Sequence, residues 1–381
     1  MTIKEPTFSL GIEEEYLLVD RKTLDLVNDP PVEIIEECRR RHHGQVAPEF
    51  LRSQIEIGTQ VCHTIDEART DLVRLRNDVI EVADAAGLAP IAASTHPFGL
   101  WSEQMHSPVR RYRDLAEEMQ AAARRLLICG MHVHVGIDDD ELRIDLMNQM
   151  SYFLPHLLAL STSSPFWEGS DTGLKSYRLT IFDALPRTGL PEHFASHAEF
   201  KRHVDVLINA GLLEDASKIW WDLRPSARYP TLETRIFDVC TNLDDAIGLA
   251  ALTLCIMRML YRLRVKNQRW RVYNPMLLNE NRWRAMRYGI DERMLDLAKG
   301  QLVPFGTLLD ELLDVVAKDA EALNCVDEVQ HLRTILDRGT SAHRQVEVFE
   351  NAQGAGADQQ EALREVVRDL IVATAPAASN Q

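Results

Sequence analysis

Apolar and polar residues alternate along four short segments of this chain, at residues 11–19, 54–58, 131–136 and 231–238. A period of two predicts half-buried β-strands, because successive side chains of a strand point to opposite faces of the sheet. In each segment one face is largely apolar and the other carries charged or imidazole side chains. The four strands are therefore predicted to share a polar face.

The charged and imidazole side chains have definite places in this pattern. Glu13 and Glu15 lie on one face of the first segment. Glu14 lies on the opposite face, between Ile12 and Tyr16. The other three segments contribute the polar-face residues Glu56, His132, His134, Glu233 and Arg235.

Apolar residues elsewhere recur with a spacing near 3.6, which predicts helices. The predicted helices span residues 66–86, 110–127, 142–160, 244–264 and 361–372, and residues 292–337 are predicted to form further helices. Strands and helices are mixed without strict alternation. The predicted fold class is therefore α+β, with an antiparallel sheet and helices packed on one face.

The chain shows no sign of a division into two catalytic units. No linker rich in Gly, Ser or Pro interrupts it, and the polar-face segments extend from residue 11 to residue 238. We predict a single catalytic domain over residues 1–350, followed by a C-terminal helix and a mobile tail over residues 351–381. The apolar helix at 244–264 and the C-terminal helix could bury either a core or a dimer interface, so a homodimer is a further hypothesis.

Composition limits the partners. The 381 residues are 45% hydrophobic and 26% charged, as in ordinary globular proteins. With 42 Lys and Arg against 58 Asp and Glu, the formal net charge is -16, which argues against nucleic acid as a partner. The chain has no run of 18 apolar residues and no signal-like N-terminus, so we expect a cytoplasmic protein without membrane contact. An acidic protein can still bind ATP where carboxylates hold divalent cations.

Several glutamates on one sheet face would repel one another unless a cation lies between them. Mg²⁺ suits such a site, because it binds carboxylate oxygens and bridges them to phosphate groups. The candidate ligands are Glu13, Glu15, Glu49, Glu56 and Glu233. Any one of these glutamates alone could equally face solvent, and the HxH pair could be two hydrogen-bonded or exposed histidines. Their joint placement favours a site.

Phosphoryl transfer also needs cationic groups around the phosphate oxygens. Arg235 is the natural candidate, because it shares a strand face with Glu233. Arg178 and Arg224 suit a substrate carboxylate, which a guanidinium binds through two parallel hydrogen bonds, although each alone could form a surface ion pair. The chain has no P-loop, no GxGxxG motif after a strand and no GxSxG elbow. ATP would therefore be held by metals and arginines.

Several stretches of the sequence carry a family resemblance. They are GIEEE at 11–15, EFLRSQIEIGT at 49–59, GMHVHVG at 130–136, SSPFWEGSDTGLKSYR at 163–178, LETRIFD at 232–238 and ENRWRAMRYG at 280–289. Together they resemble the glutamate-cysteine ligase type 2 family, in its carboxylate-amine ligase branch, over residues 8–300. The resemblance implies a saddle-like antiparallel sheet of the glutamine synthetase type, which binds ATP and several Mg²⁺ ions on its concave face.

The resemblance also implies roles for single residues. The positions that match the family's metal ligands are Glu13, Glu15, Glu49, Glu56, His132 and Glu233. Arg235 matches a phosphate-contacting arginine. We assign catalysis to Arg235 and Glu56, and nucleotide binding to Arg235 and Glu15. Arg178 and Arg224 look like arginines that bind the substrate carboxylate.

The implied activity is an ATP-dependent ligation. The substrate carboxylate attacks the γ-phosphate to give an acyl phosphate, and an amine then displaces phosphate to form an amide. The family default is a γ-glutamyl amide of glutamate with cysteine or another amine, as in glutathione biosynthesis. One alternative is a metal-dependent hydrolase built on His132 and His134, although relatives can carry a different polar residue at position 134. The other is a non-catalytic protein that binds an amino acid or a nucleotide.

Overall fold

The structure is a computed structural model that describes residues 4–376. Its strands are β1 (Leu10–Asp20), β2 (Val46–Pro48), β3 (Gln54–Gly58), β4 (Leu88–Ile91), β5 (Met131–Gly136), β6 (Phe166–Trp167), β7 (Ser170–Asp171), β8 (Leu223–Pro225), β9 (Thr231–Thr234), β10 (Arg293–Asp296) and β11 (Gln301–Pro304). Its helices are α1 (Val32–Arg41), α2 (Ile65–Ala85), α3 (Arg110–Met119), α4 (Ala121–Arg124), α5 (Asp140–Met150), α6 (Leu154–Ser161), α7 (Arg178–Phe182), α8 (His197–Asn209), α9 (Leu243–Val265), α10 (Pro275–Tyr288), α11 (Phe305–Ala322), α12 (Val326–His331), α13 (Arg333–Arg338), α14 (Ser341–Gly354) and α15 (Gln359–Thr374). Residues 377–381 of the predicted mobile tail lie outside the described residues.

A seven-stranded sheet forms the centre of the fold. Its strand order is β2-β3-β1-β5-β9-β8, with β4 paired to β1, and every pair is antiparallel. The predicted α+β class is confirmed, and all four predicted strands lie in this sheet. The fourth strand is shorter than predicted. Regular pairing ends at Thr234, and beyond it only an isolated bridge between Gly130 and Asp238 joins the chain to the segment before β5.

The two faces of the sheet differ as the alternation predicts. On β1, Ile12 and Glu14 are buried, whereas Glu13 and Glu15 are partly exposed. Helix α2 covers the buried face, where Arg76 reaches Glu14. Helices α5, α9 and α15 also pack against strands of the sheet. The opposite face of β1 carries Glu13 and Glu15 in its first half and the buried Leu17 and Val19 in its second half.

The apolar helix predicted at 244–264 forms as α9 in the core. Asn242 caps its first turn by accepting hydrogen bonds from the N–H groups of Asp244 and Asp245. By length and composition α9 could cross a membrane, but 83% of its apolar 18-residue window is buried inside the protein. Such burial is typical of a core helix. The homodimer stays a prediction.

Two of the predicted helices are broken. The helix predicted at 110–127 forms as α3 and α4, separated by Gln120, whose φ of 48° does not fit a right-handed helix. The helix predicted at 142–160 forms as α5 and α6, with a turn at 151–153 between them. Pro155 lies in the first turn of α6, where its missing N–H breaks no helical hydrogen bond.

The prediction of helices throughout 292–337 is wrong at its start. Strands β10 and β11 form an antiparallel hairpin there, and helices begin only at Phe305. The Oδ1 atom of Asp296 accepts hydrogen bonds from the N–H groups of Ala298 and Lys299, and Gly300 has a φ of 65°. These residues provide the turn that a hairpin needs, and helical periodicity does not reveal it.

The C-terminal helices pack onto the same core. Helix α15 buries Leu363, Val366 and Leu370 and contacts β4. The Oγ1 atom of Thr374 accepts a hydrogen bond of 2.9 Å from the N–H of Ala92. Helix α14 runs across residue 350, where the predicted domain boundary falls. The division into residues 1–350 and 351–381 stays a prediction.

Candidate active site

The register of the sheet places predicted site residues opposite one another. The cross-strand partners are Glu15 with Glu56, Glu13 with His132, His134 with Glu233, and Glu233 with Arg224. Directly opposed residues have Cβ atoms about 4.5–5.5 Å apart on the same face. Strands that are remote in sequence therefore build one continuous polar surface.

This polar surface borders an open cavity of about 510 Å³. The volume falls within the range of roughly 300–1,000 Å³ that is common for small-molecule sites. The predicted residues that line it are Glu13, Glu15, Glu49, Glu56, His132, His134, Arg178, Arg224, Glu233 and Arg235. The structure thus brings every predicted site residue together, while their individual roles stay predictions.

Glu15, Glu49 and Glu56 form a group of carboxylates that we call the three-glutamate cluster. One carboxylate oxygen from each lies within 4.8 Å of the other two. Burial and the charge of Glu49 raise the pKa of Glu15 to about 8. The same two causes raise the pKa of Glu56 well above its usual value. Three ionised groups at this spacing need a positive partner, so the cluster is a candidate cation site.

Glu49 of this cluster is hydrogen-bonded to a residue of α3, a helix that the sequence did not connect with the site. The N–H of Phe50 donates to Glu49 Oε1 at 2.9 Å, and the hydroxyl of Tyr112 on α3 donates to Glu49 Oε2 at 3.3 Å. Arg111 in turn donates to the Tyr112 hydroxyl. Sequence reasoning missed Arg111 and Tyr112. The basic and aromatic start of α3, RRYR at 110–113, was the available signal, but it does not indicate what the helix faces.

A second group of possible metal ligands comprises Glu13, His134 and Glu233, with ligand atoms within 4.8 Å of one another. His132, the predicted ligand, meets Glu13 through Nδ1, 3.1 Å from Oε2. His134 Nε2 lies 3.5 Å from Glu13 Oε1, while its Nδ1 is hydrogen-bonded to Thr231. Burial would raise the pKa of Glu13, but the two histidines outweigh burial and lower it. Glu13 is therefore ionised near neutral pH.

Glu233 lies between two arginines. Arg224 donates from Nε and Nη2 to its two carboxylate oxygens at 2.9 and 3.2 Å, and Arg235 donates from Nη1. Burial would raise the pKa of Glu233, but the charges of Arg235 and Arg224 outweigh burial and lower it. Arg224 Nη1 also donates to the carbonyls of Ser217 and Ile219 at 2.7 and 2.6 Å. Each guanidinium nitrogen of Arg224 thus has a protein acceptor, which disfavours its predicted role in binding a substrate carboxylate.

Arg178 has the opposite character, because two of its guanidinium nitrogens are buried without a hydrogen-bond acceptor in the described residues. The residue is buried, and no acceptor within residues 4–376 bonds to its Nε or Nη1. Its Cζ lies 5.6 Å from the ring centroid of Phe182. The guanidinium also lies against Gly130, where an added Cβ would be 3.0 Å from Cζ. This arrangement suits an anionic ligand.

The segment 163–178, which carries part of the family resemblance, is hydrogen-bonded so that it holds Arg178 in position. The buried carboxylate of Asp238 accepts hydrogen bonds from the Ser163 N–H and from the Ser164 and Ser176 hydroxyls, at 2.8, 2.8 and 2.9 Å. Ser164 Oγ also accepts the backbone N–H of Arg178 at 3.1 Å. Asp238 therefore fixes the loop from which α7 starts.

The segment 280–289, which also carries part of the family resemblance, lies on α10 and makes ion pairs near Arg178. Arg282 donates to Asp183 Oδ2 at 2.7 Å and to Asp222 Oδ2 at 2.7 Å. Asp183 follows α7 directly, and Asp222 precedes β8. Arg282 therefore ties the helix that carries Arg178 to the edge strand of the sheet.

Two solved structures share this fold. A glutamate-cysteine ligase from Francisella tularensis, in complex with AMP, aligns with a TM-score of 0.68 and 13% identity, over 100% of this chain and 91% of that one. A bifunctional glutathione synthetase from Pasteurella multocida aligns with a TM-score of 0.67 and 17% identity. The second alignment covers 96% of this chain but 52% of that chain, so this chain spans about half of the bifunctional protein. At these identities the likeness concerns the fold alone.

Two curated relatives match along nearly their whole length. A protein of Rhodospirillum rubrum named "Putative glutamate--cysteine ligase 2" is 58% identical over 376 residues, which are 98% of this chain and 97% of the relative. A protein of Jannaschia sp. with the same name is 54% identical over 370 residues, or 97% of each chain. The family profile described as glutamate-cysteine ligase family 2 (GCS2) matches residues 9–369. The chain therefore belongs to glutamate-cysteine ligase family 2.

Proposed function

We propose that this protein is an ATP-dependent carboxylate-amine ligase that requires Mg²⁺ and acts in the cytoplasm. It would join glutamate to cysteine or another amine as a γ-glutamyl amide, with ADP and phosphate as the other products. The observation that carries the proposal is the three-glutamate cluster, which shares one cavity with Arg178 and Arg235. Carboxylates that hold cations and arginines that hold anions are the groups that phosphoryl transfer to a carboxylate requires.

The residues present fit Mg²⁺. Burial raises the pKa values of Glu15, Glu49 and Glu56, and the charge of Glu49 adds to the rise at Glu15 and Glu56. Such carboxylates gain from a divalent cation, and Mg²⁺ prefers oxygen ligands. The first candidate ligand set is Glu15, Glu49 and Glu56. The second is Glu13 and Glu233 with a histidine, which is His134 in the group whose ligand atoms lie together and His132 in the sequence-based prediction. Burial and the charge of Arg235 lower the pKa of His132 to about 4, so its imidazole is neutral near pH 7, as a ligand must be. Bound Mg²⁺ would supply charge neutralisation at the phosphate oxygens.

The arginines would act on the anionic groups of the substrates. Arg235 is half-buried and is oriented by its ion pair with Glu233, so it can present positive charge to the phosphate that is transferred. Arg178, whose Nε and Nη1 have no acceptor among residues 4–376, would donate to a carboxylate. Arg224 holds Glu233 in place and binds no substrate in this proposal.

The proposed reaction has two steps. A carboxylate oxygen of the substrate attacks the γ-phosphorus of ATP, which forms an acyl phosphate and releases ADP. The amine nitrogen then attacks the acyl carbon, loses a proton and expels phosphate, which leaves an amide. The first step is favoured by cations around the phosphate, and the second requires that water be kept from the acyl phosphate.

The experiment that tests this proposal is a screen for ADP release. Purified protein with ATP and Mg²⁺ is incubated with glutamate and a panel of amines, with EDTA and the Glu56→Gln variant as controls. We expect ADP and phosphate in equal amounts, only with an amine present and in neither control. Hydrolysis of a substrate without ATP would instead support a metal-dependent hydrolase. Nucleotide binding without ADP release for any pair would support a binding protein.

A further inference from the structure

Helix α10 carries side chains that the candidate active site does not use. Arg282, on its buried side, forms the ion pairs that tie α7 to β8, whereas Trp283 and Arg287 do not line the cavity. Of the six tryptophans, all of which lie in residues 4–376, Trp283 alone is exposed, at 48%. Tryptophan is enriched where protein surfaces bind one another. The outer face of α10 is therefore a candidate interaction surface.

Trp283 belongs to a line of four residues along the outer face of α10. Met276, Glu280, Trp283 and Arg287 follow one another at intervals of four, three and four residues. This spacing places side chains above one another on a helix, as along the seam of a coiled coil. Met276 is 73% exposed, and Glu280 is also exposed. We call these four residues the outer stripe, which combines two apolar side chains with two opposite charges.

The two charges of the outer stripe have no ion-pair partner among residues 4–376. Glu280 is exposed to solvent, and Arg287 donates to the carbonyl of Gly173, which carries no net charge. Glu280 and Arg287 are seven residues apart, or about 10.5 Å along a helix, which is too far for a salt bridge within one chain. Each charge is therefore available to a group outside the chain.

The hairpin of β10 and β11 extends this surface beside the helix. Asn281 exchanges two hydrogen bonds of 2.8 Å with the backbone of Leu295, and Arg284 donates to the carbonyl of Arg293 at 2.5 Å. The hairpin therefore lies along the second half of α10. Leu302, the cross-strand partner of Leu295, is 46% exposed. Neighbouring exposed apolar side chains are typical of surfaces that bind protein.

The outer stripe is complementary to a second copy of itself. In an antiparallel pair of α10 helices with a two-fold axis beside Trp283, each Glu280 meets Arg287 of the other copy. A two-fold axis requires such a self-complementary surface. Helix α9, which the sequence offered as an interface, is buried in the core. We propose that the protein forms a homodimer through the outer stripes, with Trp283 at the centre and a Glu280–Arg287 pair on either side.

The mass of the protein in solution tests this proposal. It is measured without substrate, so the result does not depend on the proposed ligase function. Sedimentation from about 1 to about 100 μM should approach twice the chain mass of 43.3 kDa. Trp283→Ala should raise the dissociation constant of the dimer by about thirtyfold or more. The matched control is Val206→Ala, at a residue that is 65% exposed on α8, and it should retain the parent constant. A monomer throughout this range, or a dimer that Trp283→Ala leaves unchanged, would overturn the proposal.

Charge reversals test whether the two stripes face each other. Glu280→Arg places like charges at both contacts, and Arg287→Glu does the same with the other sign. Each alone should weaken the dimer by about tenfold, whereas both in one chain should return the dissociation constant to within about threefold of the parent. The control is Glu36→Arg, at an exposed residue of α1, and it should have no effect. A double variant as weak as its single variants would overturn the proposal.

A mixture of the two single variants gives the sharpest result. One chain then has only positive charge on its stripe and the other only negative charge, so both contacts of a heterodimer are attractive. An equimolar mixture should dimerise about as strongly as the parent, although neither variant does so alone. If thermal melting shows both variants folded and their mixture stays monomeric, the outer stripe is not the interface and the proposal fails.

Discussion

Glu14 and Arg76 form a fully buried ion pair on the side of β1 that faces away from the cavity. Arg76 donates from Nε and Nη2 to the two carboxylate oxygens at 2.8 and 2.6 Å, and both side chains are 0% exposed. Arg76 Nη2 also donates to the carbonyl of Cys240 at 2.8 Å. Because side chains alternate along a strand, fixing Glu14 in the core fixes Glu13 and Glu15 towards the cavity.

Breaking this pair should destabilise the protein strongly. Arg76→Met leaves the Glu14 carboxylate buried without its partner, and the free energy of unfolding should fall by about 3–5 kcal/mol. Urea denaturation measures this loss. The matched control is Arg40→Met, which breaks an ion pair with Glu37 on the surface and should change stability by no more than about 0.5 kcal/mol.

The double variant Glu14→Leu with Arg76→Met provides a second check of the pair. It removes both charges, so it should recover part of the stability that Arg76→Met loses. If Arg76→Met is as stable as Arg40→Met, the pair does not hold β1 in place.

Mg²⁺ binding should release protons. Burial and the charge of Glu49 raise the pKa of Glu15 to about 8, so Glu15 is largely protonated at neutral pH when no cation is bound. A cation must displace that proton, and the affinity for Mg²⁺ should therefore increase from about pH 6 to about pH 8. Calorimetry in two buffers of different ionisation enthalpy measures the protons released. An affinity that does not change with pH would contradict the predicted cation site.

The raised pKa of Glu15 also predicts how the stability of the metal-free protein depends on pH. The usual pKa of a glutamate is 4.5, and folding raises the pKa of Glu15 to about 8, so the folded protein holds one more proton between these values. The stabilisation from this proton is complete below about pH 4.5 and is lost as the pH rises through about 8. In EDTA, the Tm of Glu15→Gln should therefore fall less than that of the parent between these two pH values. Parallel Tm curves would show that Glu15 is ionised throughout.

Glu56→Gln should abolish turnover and keep the fold. The exchange conserves size but removes a charge from the three-glutamate cluster, and kcat should fall by at least about a hundredfold, near 2.7 kcal/mol of barrier. Burial and the charges of Glu49 and Glu13 raise the pKa of Glu56, so the neutral amide should leave the metal-free protein at least as stable as the parent. Kinetics and thermal melting are measured together, with the exposed Glu36→Gln as control. A folded Glu56→Gln enzyme with near-normal turnover would remove Glu56 from the site.

The parts of the site that the sequence predicts are those that depend on strand alternation. Once 11–19 is a strand, Glu13 and Glu15 must share a face, and antiparallel pairing then sets them beside Glu56 and His132. The alternation of side chains and the spacing of motifs are local properties, so they can be read from the sequence alone. Arg178 is a candidate by residue type and by the family resemblance, but no local pattern predicts that its Nε and Nη1 lack acceptors among residues 4–376.

The parts that the sequence does not predict depend on contacts between distant elements. Glu14 falls on the apolar face of its strand with no visible partner, because Arg76 is 62 residues away on a helix whose docking is a tertiary property. Arg224 looks like any other strand arginine until the structure shows that Glu233 and two backbone carbonyls accept from all three of its guanidinium nitrogens. Tyr112 likewise reaches the site because of how α3 packs, which helical periodicity does not specify.

Arg178 and Arg224 should differ when each is replaced by alanine. Arg178→Ala removes the free carboxylate anchor and should raise the KM for the amino acid by about ten- to a hundredfold, with little change in the KM for ATP. Arg224→Ala removes one of the two arginines that hold Glu233, so it should lower kcat and leave the KM for the amino acid nearly unchanged. Steady-state kinetics with one substrate varied at a time measures both. Equal effects on the amino-acid KM would restore Arg224 as a substrate ligand.

Gly130→Ala should impair amino-acid binding through Arg178 and spare the metal site. A Cβ at residue 130 would lie 3.0 Å from Arg178 Cζ, so the buried guanidinium would have to move. The Gly130 N–H, which donates to Glu15 Oε2 at 2.7 Å, is kept by the substitution. We expect the KM for the amino acid to rise about tenfold, while Mg²⁺ affinity and the KM for ATP stay within about twofold.

Two further variants separate this effect from a general disturbance of the sheet. Gly11→Ala is the matched strand control, because its added Cβ would make an ordinary contact of 3.6 Å with His134 Cβ; it should retain the parent KM values. In the double variant with Arg178→Ala, the alanine at residue 130 no longer has a guanidinium to displace. The double variant should therefore bind the amino acid no more weakly than Arg178→Ala alone, since both changes act on one interaction. Additive losses in the double variant, or a raised KM for ATP in Gly130→Ala, would show that residue 130 acts on the site by another route.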